Sequence, residues 1–269
     1  MKTILVPIDN DEGREARLQA AFDLARATSG HVGIVQVTPY TAYAVGDGGM
    51  GAFSVASLFE AVEAERTQTR TAIEARLANE DIAWDWHTLD GDLVDRLAVL
   101  ARLADVIVMN SGPFSVAAGA RMTVTGDVAM AASAPVLVVP PTCHRGDFTG
   151  PALVAWDGSN EAGRALRAAM PLLRLSSAVS IVTIEEKNPD LSGRDAAAWL
   201  ARHGVNAEVI ERGDGGHGIE ATIRSVVTET AASWMVQGAY GHSRLRQTIF
   251  GGVTRGLLGN APVPMLIAH

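Results

Sequence analysis

Glycines at 238, 241, 251 and 252 frame a loop that also carries Tyr240, His242 and Arg244. Glycine at 238 and 241 lets the chain turn tightly after an apolar run and brings bare backbone close to a bulky group. Gly251 and Gly252 stand where the next helical pattern opens. Unpaired N–H groups and the positive end of a helix can face an anion there, with Val253 and the hydroxyl of Thr254 beside them. From Gly238 to His269 there is no Asp or Glu, while Arg244, Arg246 and Arg255 are present, in a chain of formal net charge −8. Such a stretch leaves a local positive field suited to phosphate. The spacing is not that of the three-glycine dinucleotide fingerprint, and no Gly-Lys-Ser/Thr triplet marks a P-loop. A tight glycine turn with surface arginines and no ligand accounts for the glycines equally well.

Other reactive residue types are not arranged for catalysis. The remaining histidines, His31, His87, His144, His203, His217 and His269, show no metal-ligand spacing. Asp90, Asp92 and Asp95 read as the acidic first turn of a helix, and nothing at EF-hand spacing follows them. No Gly-x-Ser-x-Gly elbow is present, and Cys143 lies in a linker. No catalytic residue and no metal ligand is assigned. Trp84 and Trp86, two apart on a strand, share a face and read as core or inter-domain contacts. His242 reads equally as a phosphate contact or an exposed loop residue.

The elements that position the glycine loop come in two copies. Ile4-Leu5-Val6-Pro7-Ile8-Asp9 returns as Ala152-Leu153-Val154-Ala155-Trp156-Asp157, each run followed by a polar turn and a helical pattern. Leu18, Ala21, Leu24 and Ala25 share one helical face, and so do Leu166, Ala169, Leu172 and Leu173. Asp105–Met109 is echoed by Ser233–Gln237, and Ala134–Val139 by Val263–Ala268. The copies span about 1–141 and 151–269, and the stretch 140–146 is a stiff polar joint. In the first copy strands are expected near 3–8, 31–38, 82–89, 105–109 and 135–139, with helices near 12–28, 57–79, 92–102 and 124–132. In the second, strands fall near 151–156, 178–184, 205–211, 233–237 and 263–268, with helices near 160–174, 193–203, 217–231 and 252–260. Continuous Val/Ile/Leu runs indicate strands buried on both faces, hence parallel sheets. Strict alternation of strand and helix makes the fold α/β, as two tandem doubly wound sheets. The connection from Tyr40 to Ala56, rich in glycine, is expected to be a mobile surface insertion.

Open parallel sheets bind ligands beyond the carboxyl ends of their strands, where the strand order reverses. In the second copy this places the end of strand one (Ala155, Trp156, Asp157) beside the glycine loop. In the first copy Asn110 stands where Gly238 does, Pro113 replaces Gly241, and Met122-Thr123 replaces Gly251-Gly252. Proline fixes φ and removes a donor. The first copy is therefore expected to keep the fold and lose this type of site.

Composition agrees with a globular pair. The chain has 269 residues, 48% hydrophobic and 19% charged, enough for two cores. Its acidic balance argues against nucleic acid as a partner. A single cysteine fits a reducing compartment. The apolar run at the N-terminus is too short for a signal peptide, and no stretch reads as a membrane span. A cytoplasmic protein with no membrane partner is expected.

The spacing Gly238-x2-Gly241-x9-Gly251 resembles the universal stress protein family, whose nucleotide-binding members follow the third glycine with Ser or Thr where this chain has Gly252. The resemblance extends to Val6-Pro7-Ile8-Asp9, Ala155-Trp156-Asp157 and the segment Ala261 to Pro264, so it covers nearly the whole chain. It implies a Rossmann-like, HUP-type fold of five parallel strands per copy in the order 3-2-1-4-5. It also implies ATP or another adenine nucleotide, with or without Mg2+, at the switch point of the second copy. By that analogy Asp157 lies by the adenosine. Val182, Thr183 and Ile184 line the base. Gly238, Gly241, Gly251, Gly252 and Val253 contact ribose and phosphates. Pairing of the two copies through their last strands, in imitation of a dimer of single-domain members, is implied too, and a further homodimer is left open. The output would be regulatory rather than enzymatic. A slow ATPase and a ligand-free interaction module are the alternatives.

Overall fold

The computed structural model describes residues 1–39, 52–112, 124–184, 191–239 and 252–269. The first half carries β1 (Thr3–Ile8), α1 (Arg14–Thr28), β2 (His31–Thr38), α2 (Ala52–Leu77), β3 (Ala83–Asp90), α3 (Leu93–Leu100) with a 3-10 turn at Ala101–Leu103, β4 (Val106–Asn110), α4 (Val124–Ala131) and β5 (Val136–Val139). The second carries β6 (Ala152–Ala155), α5 (Asn160–Leu173), β7 (Val179–Ile184), α6 (Gly193–Arg202), β8 (Glu208–Arg212), α7 (Ile219–Glu229), β9 (Trp234–Gly238), α8 (Gly252–Gly259) and β10 (Met265–Ala268).

The ten strands form one sheet in the order β3-β2-β1-β4-β5-β10-β9-β6-β7-β8. Each half therefore has the expected order 3-2-1-4-5. Strands within a half are parallel, in registers such as Ile4↔Val32 and Ala152↔Trp234. The two last strands meet antiparallel, with Met265↔Val138, Leu266↔Leu137 and Ile267↔Val136. This pairing makes the expected two sheets continuous.

Burial on both faces explains the unbroken apolar runs. Ile4, Val6, Val32, Ile34 and Val154 face α1 and α5, whose Leu18, Ala21, Leu24, Leu166, Ala169 and Leu172 are buried against them. Leu5, Val35, Ile107, Leu153 and Met235 face the opposite side, where Leu97, Val128, Ile223, Val226 and Leu257 of α3, α4, α7 and α8 cover them. Trp84 and Trp86 pack on the α1 side from the edge strand β3. The helix expected near 57–79 starts earlier, at Ala52. No Gly or Pro interrupts the chain between Ala52 and Leu77, so nothing stops the helix before Gly51. The rest of that glycine-rich connection, 40–51, lies outside the described residues. So do Pro113, Met122, Thr123, Glu185 and Glu186.

The joint between the halves is pinned at both ends. Phe148 is buried in the core. The Gly146 N–H donates to Asp23 of α1 at 2.9 Å, and the Ser233 hydroxyl donates to the Asp147 carbonyl at 2.7 Å. A second tie crosses between the halves. Gly112, at φ +89°, donates its N–H to the Leu258 carbonyl of α8 at 2.9 Å. A left-handed φ of that kind is strained for any residue with a Cβ.

Candidate functional site

In the second half, β6 and β9 are neighbours, with Ala155 opposite Gln237. The strand order reverses between them. Beyond β6, Trp156 is buried in the core and its ring N–H donates to the Leu191 carbonyl at 2.9 Å. Asp157 is exposed; it accepts the Ser159 N–H at 3.0 Å and the Ser159 hydroxyl at 2.5 Å. Ser159 caps α5 by accepting the Ala162 N–H at 3.1 Å.

Gly238 ends β9 directly against this first turn of α5. A Cβ there would stand 2.5 Å from the Ala162 nitrogen and 2.8 Å from the Glu161 carbonyl carbon. Both are backbone atoms, so any side chain would push the strand off the helix. The glycine is needed for a close approach of backbone to backbone, and it leaves main chain rather than side chain at this strand end.

The other expected site residues divide. Thr183 is buried at the end of β7, its methyl against Gly193 at the start of α6. Gly252 opens α8, and Val253 is half-buried behind it. Thr254 is buried, and its hydroxyl oxygen faces Gln237, whose side-chain amide donates to it at 3.4 Å. Tyr240, Gly241, His242, Arg244 and Gly251 lie outside the described residues.

The first half builds the same place differently. Asn110 stands at the end of β4 and is buried. Its side-chain amide donates to the Val139 carbonyl at 3.2 Å, and its Oδ1 accepts from Arg17. Arg17 is fully buried; it donates to the Pro7 carbonyl at 2.7 Å and pairs with Asp11 at 2.7 Å. The neighbouring glycine has moved to the helix: a Cβ on Gly13 would lie 2.6 Å from the Asn110 Cγ. Gly13 corresponds to Glu161 when Asp9 is set on Asp157, and Asn110 corresponds to Gly238. The halves thus exchange small and large residues across one contact. Asn110 over Gly13 becomes Gly238 under Glu161, and Arg17 becomes Ala165. On the same face, α2 packs beside α1 and reaches the end of β2, where the Gln36 amide donates to the Arg66 carbonyl at 3.2 Å. Asp9, exposed in its counterpart Asp157, is here half-buried, and burial pushes its carboxyl above the ordinary range despite the Asn10 N–H that it accepts.

The Arg17 network was not foreseen from the sequence. Its signal was an arginine inside the apolar face Leu18-Ala21-Leu24, with Asp11 a short distance upstream.

Two stretches of the chain, residues 1–140 and 150–269, match the sequence profile of the universal stress protein family. The chain belongs to that family. A universal stress protein from Archaeoglobus fulgidus DSM 4304 has a similar structure, with a TM-score of 0.73 at 18% identity, over 99% of this chain and 97% of that one. A universal stress protein from Pseudomonas aeruginosa UCBPP-PA14 superposes with a TM-score of 0.58 at 16% identity, over 99% of this chain and 92% of that one. A shorter universal stress protein from Archaeoglobus fulgidus, solved in complex with dAMP, covers 51% of this chain and 97% of its own, at 22% identity and a TM-score of 0.34. The first two likenesses speak to fold alone. A comparison with curated proteins gave no match. Among the described residues of this universal stress protein no helix is long and apolar enough to cross a membrane. No group of three or more His, Cys, Asp or Glu side chains is gathered there for a metal ion either.

Proposed function

We propose that this universal stress protein binds an adenine nucleotide, ATP in the first instance, at the switch point of its second half, and that occupancy rather than turnover is its output. The observation that carries the reading is Gly238. Its main chain sits on the first turn of α5 with no space for a side chain, while the same position of the first half is filled by Asn110, Arg17 and Asp11. The α5 backbone fills the Cβ position, so the glycine opens no space of its own; it keeps any side chain from crossing the point of strand reversal, where open sheets bind ligands. The carboxylate-free stretch from Gly238 to His269 suits its phosphates.

In this reading Asp157 and Gly238 meet the nucleoside. Gly241, Gly251, Gly252 and Val253 supply main-chain contacts to the phosphates, with Arg244 and His242 in the same loop. A Mg2+ ion would arrive on the phosphates. For a regulatory output the nucleotide must favour one of two states of the protein by differential affinity.

Calorimetric titration and thermal shift with ATP, ADP and AMP test the proposal. Binding that disappears in Gly241→Pro supports it. No heat and no shift at millimolar nucleotide would leave an interaction module without ligand. A single-turnover assay separates binding from catalysis: rapid product formation that depends on Asp157 would make the protein an enzyme.

A further inference from the structure

Glu161 is the second residue of α5. It is 5% exposed, and its Oε2 is buried with no hydrogen-bond partner. A carboxylate oxygen withdrawn from water without a donor is unfavourable unless something supplies one.

The other half indicates where that donor belongs. Gly13 and Arg17 lie one helical turn apart on the same face, as do Glu161 and Ala165. In the first half the Cβ direction at position 13 runs into the Asn110 amide, and Arg17 reaches over to donate to that amide. By that correspondence the Cα–Cβ bond of Glu161 leads over Gly238, which lies against the Glu161–Ala162 backbone, and Ala165 offers a methyl group where Arg17 offers a guanidinium. The second half has kept a polar acceptor at the strand end and lost the internal cation that served it.

We infer that Glu161 accepts a hydrogen bond from a ribose hydroxyl of the bound nucleotide, in the place that the first half fills with its own arginine. This rests on the nucleotide reading above. A phosphate offers only acceptors and negative charge, and a buried carboxylate repels it. A divalent cation takes several oxygen ligands, and no such group is gathered among the described residues. The remaining donors of an adenine nucleotide are its exocyclic amine and its ribose hydroxyls. Position decides between them. With strands 4.7–4.9 Å apart, β9 lies about 10 Å from β7, the strand expected to line the base. Gly238 immediately precedes the stretch expected to hold the phosphates. The sugar is the part that lies between. Glu161 therefore sets specificity for the sugar.

Calorimetric titration of the full chain with ATP and with 2′,3′-dideoxy-ATP tests this. The wild type should prefer ATP by about tenfold or more, as expected for a hydrogen bond to a charged group. Glu161→Ala should remove that preference by weakening ATP alone. Equal weakening of both nucleotides, or an undiminished preference, would overturn the inference while leaving nucleotide binding intact. Binding of neither nucleotide by the wild type would overturn the functional reading and this inference with it.

Discussion

Arg17 shows how one residue can fill the end of a strand. Its guanidinium is out of contact with water and is satisfied by Pro7, Asp11 and Asn110 together. Truncation would leave Asp11 and Asn110 without their donor. Breaking a buried pair of this kind costs about 3–5 kcal/mol. Urea denaturation of Arg17→Ala should show a loss of that order, and a loss under 1 kcal/mol, within about the range of a surface pair, would show that the network contributes little. Asp9, beside it, behaves in the opposite sense to a paired carboxylate. Burial raises its folded pKa above 3.8. As pH rises past that value the unfolded chain releases the proton first, so the folded state loses stability up to the raised pKa and stays lowered above it. Asp9→Asn should therefore be more stable than the wild type at neutral pH, with the advantage shrinking as pH falls through the raised folded value toward 3.8 and vanishing below it. A variant that is less stable at neutral pH would contradict the sign.

At the scale of elements, α8 links the candidate site to the other half. Its first residue is Gly252, in the expected phosphate contact, and its last turn accepts the N–H of Gly112. The Arg224 side chain also donates to the Asn260 carbonyl just beyond, at 2.5 Å, and carries Glu220 as an ion-pair partner at 2.8 Å. α8 is thus held at its carboxyl end by residues from both halves. Gly112→Ala keeps the chain length but places a Cβ at φ +89°. It should destabilise the fold by about 1–2 kcal/mol. Chemical denaturation would read this, and an unchanged midpoint would mean that the chain relaxes there without strain. The joint follows a similar logic. Burial acts to raise the Asp147 pKa, but the Thr149 hydroxyl and the N–H groups of Thr149 and Gly150 outweigh it and hold the carboxyl below its ordinary range.

For the whole molecule, ten strands become one sheet because β5 and β10 spend their free edges on each other. That architecture was legible in the sequence. The two runs ending in Asp9 and Asp157, the shared helical faces of α1 and α5, and the unbroken apolar strands all state a local rule that the packing obeys. The close approach of β9 to α5 was legible from Gly238, because a strand that ends in glycine against a helix start leaves no space for a side chain. The exchange of Asn110 and Gly13 for Gly238 and Glu161 was not legible. It depends on which residues meet across distant parts of the chain, and neither member of a pair is unusual alone. Nor did Thr254 reveal that its hydroxyl turns inward to Gln237. The periodicity of an eight-residue helix is too short to fix which face is buried. The most direct test of the account is native mass spectrometry of the full chain titrated with ATP. One nucleotide per chain, lost in Gly241→Pro while the protein stays folded, is the expected result. No adduct at millimolar ATP, two per chain, or an adduct that survives the substitution would contradict it.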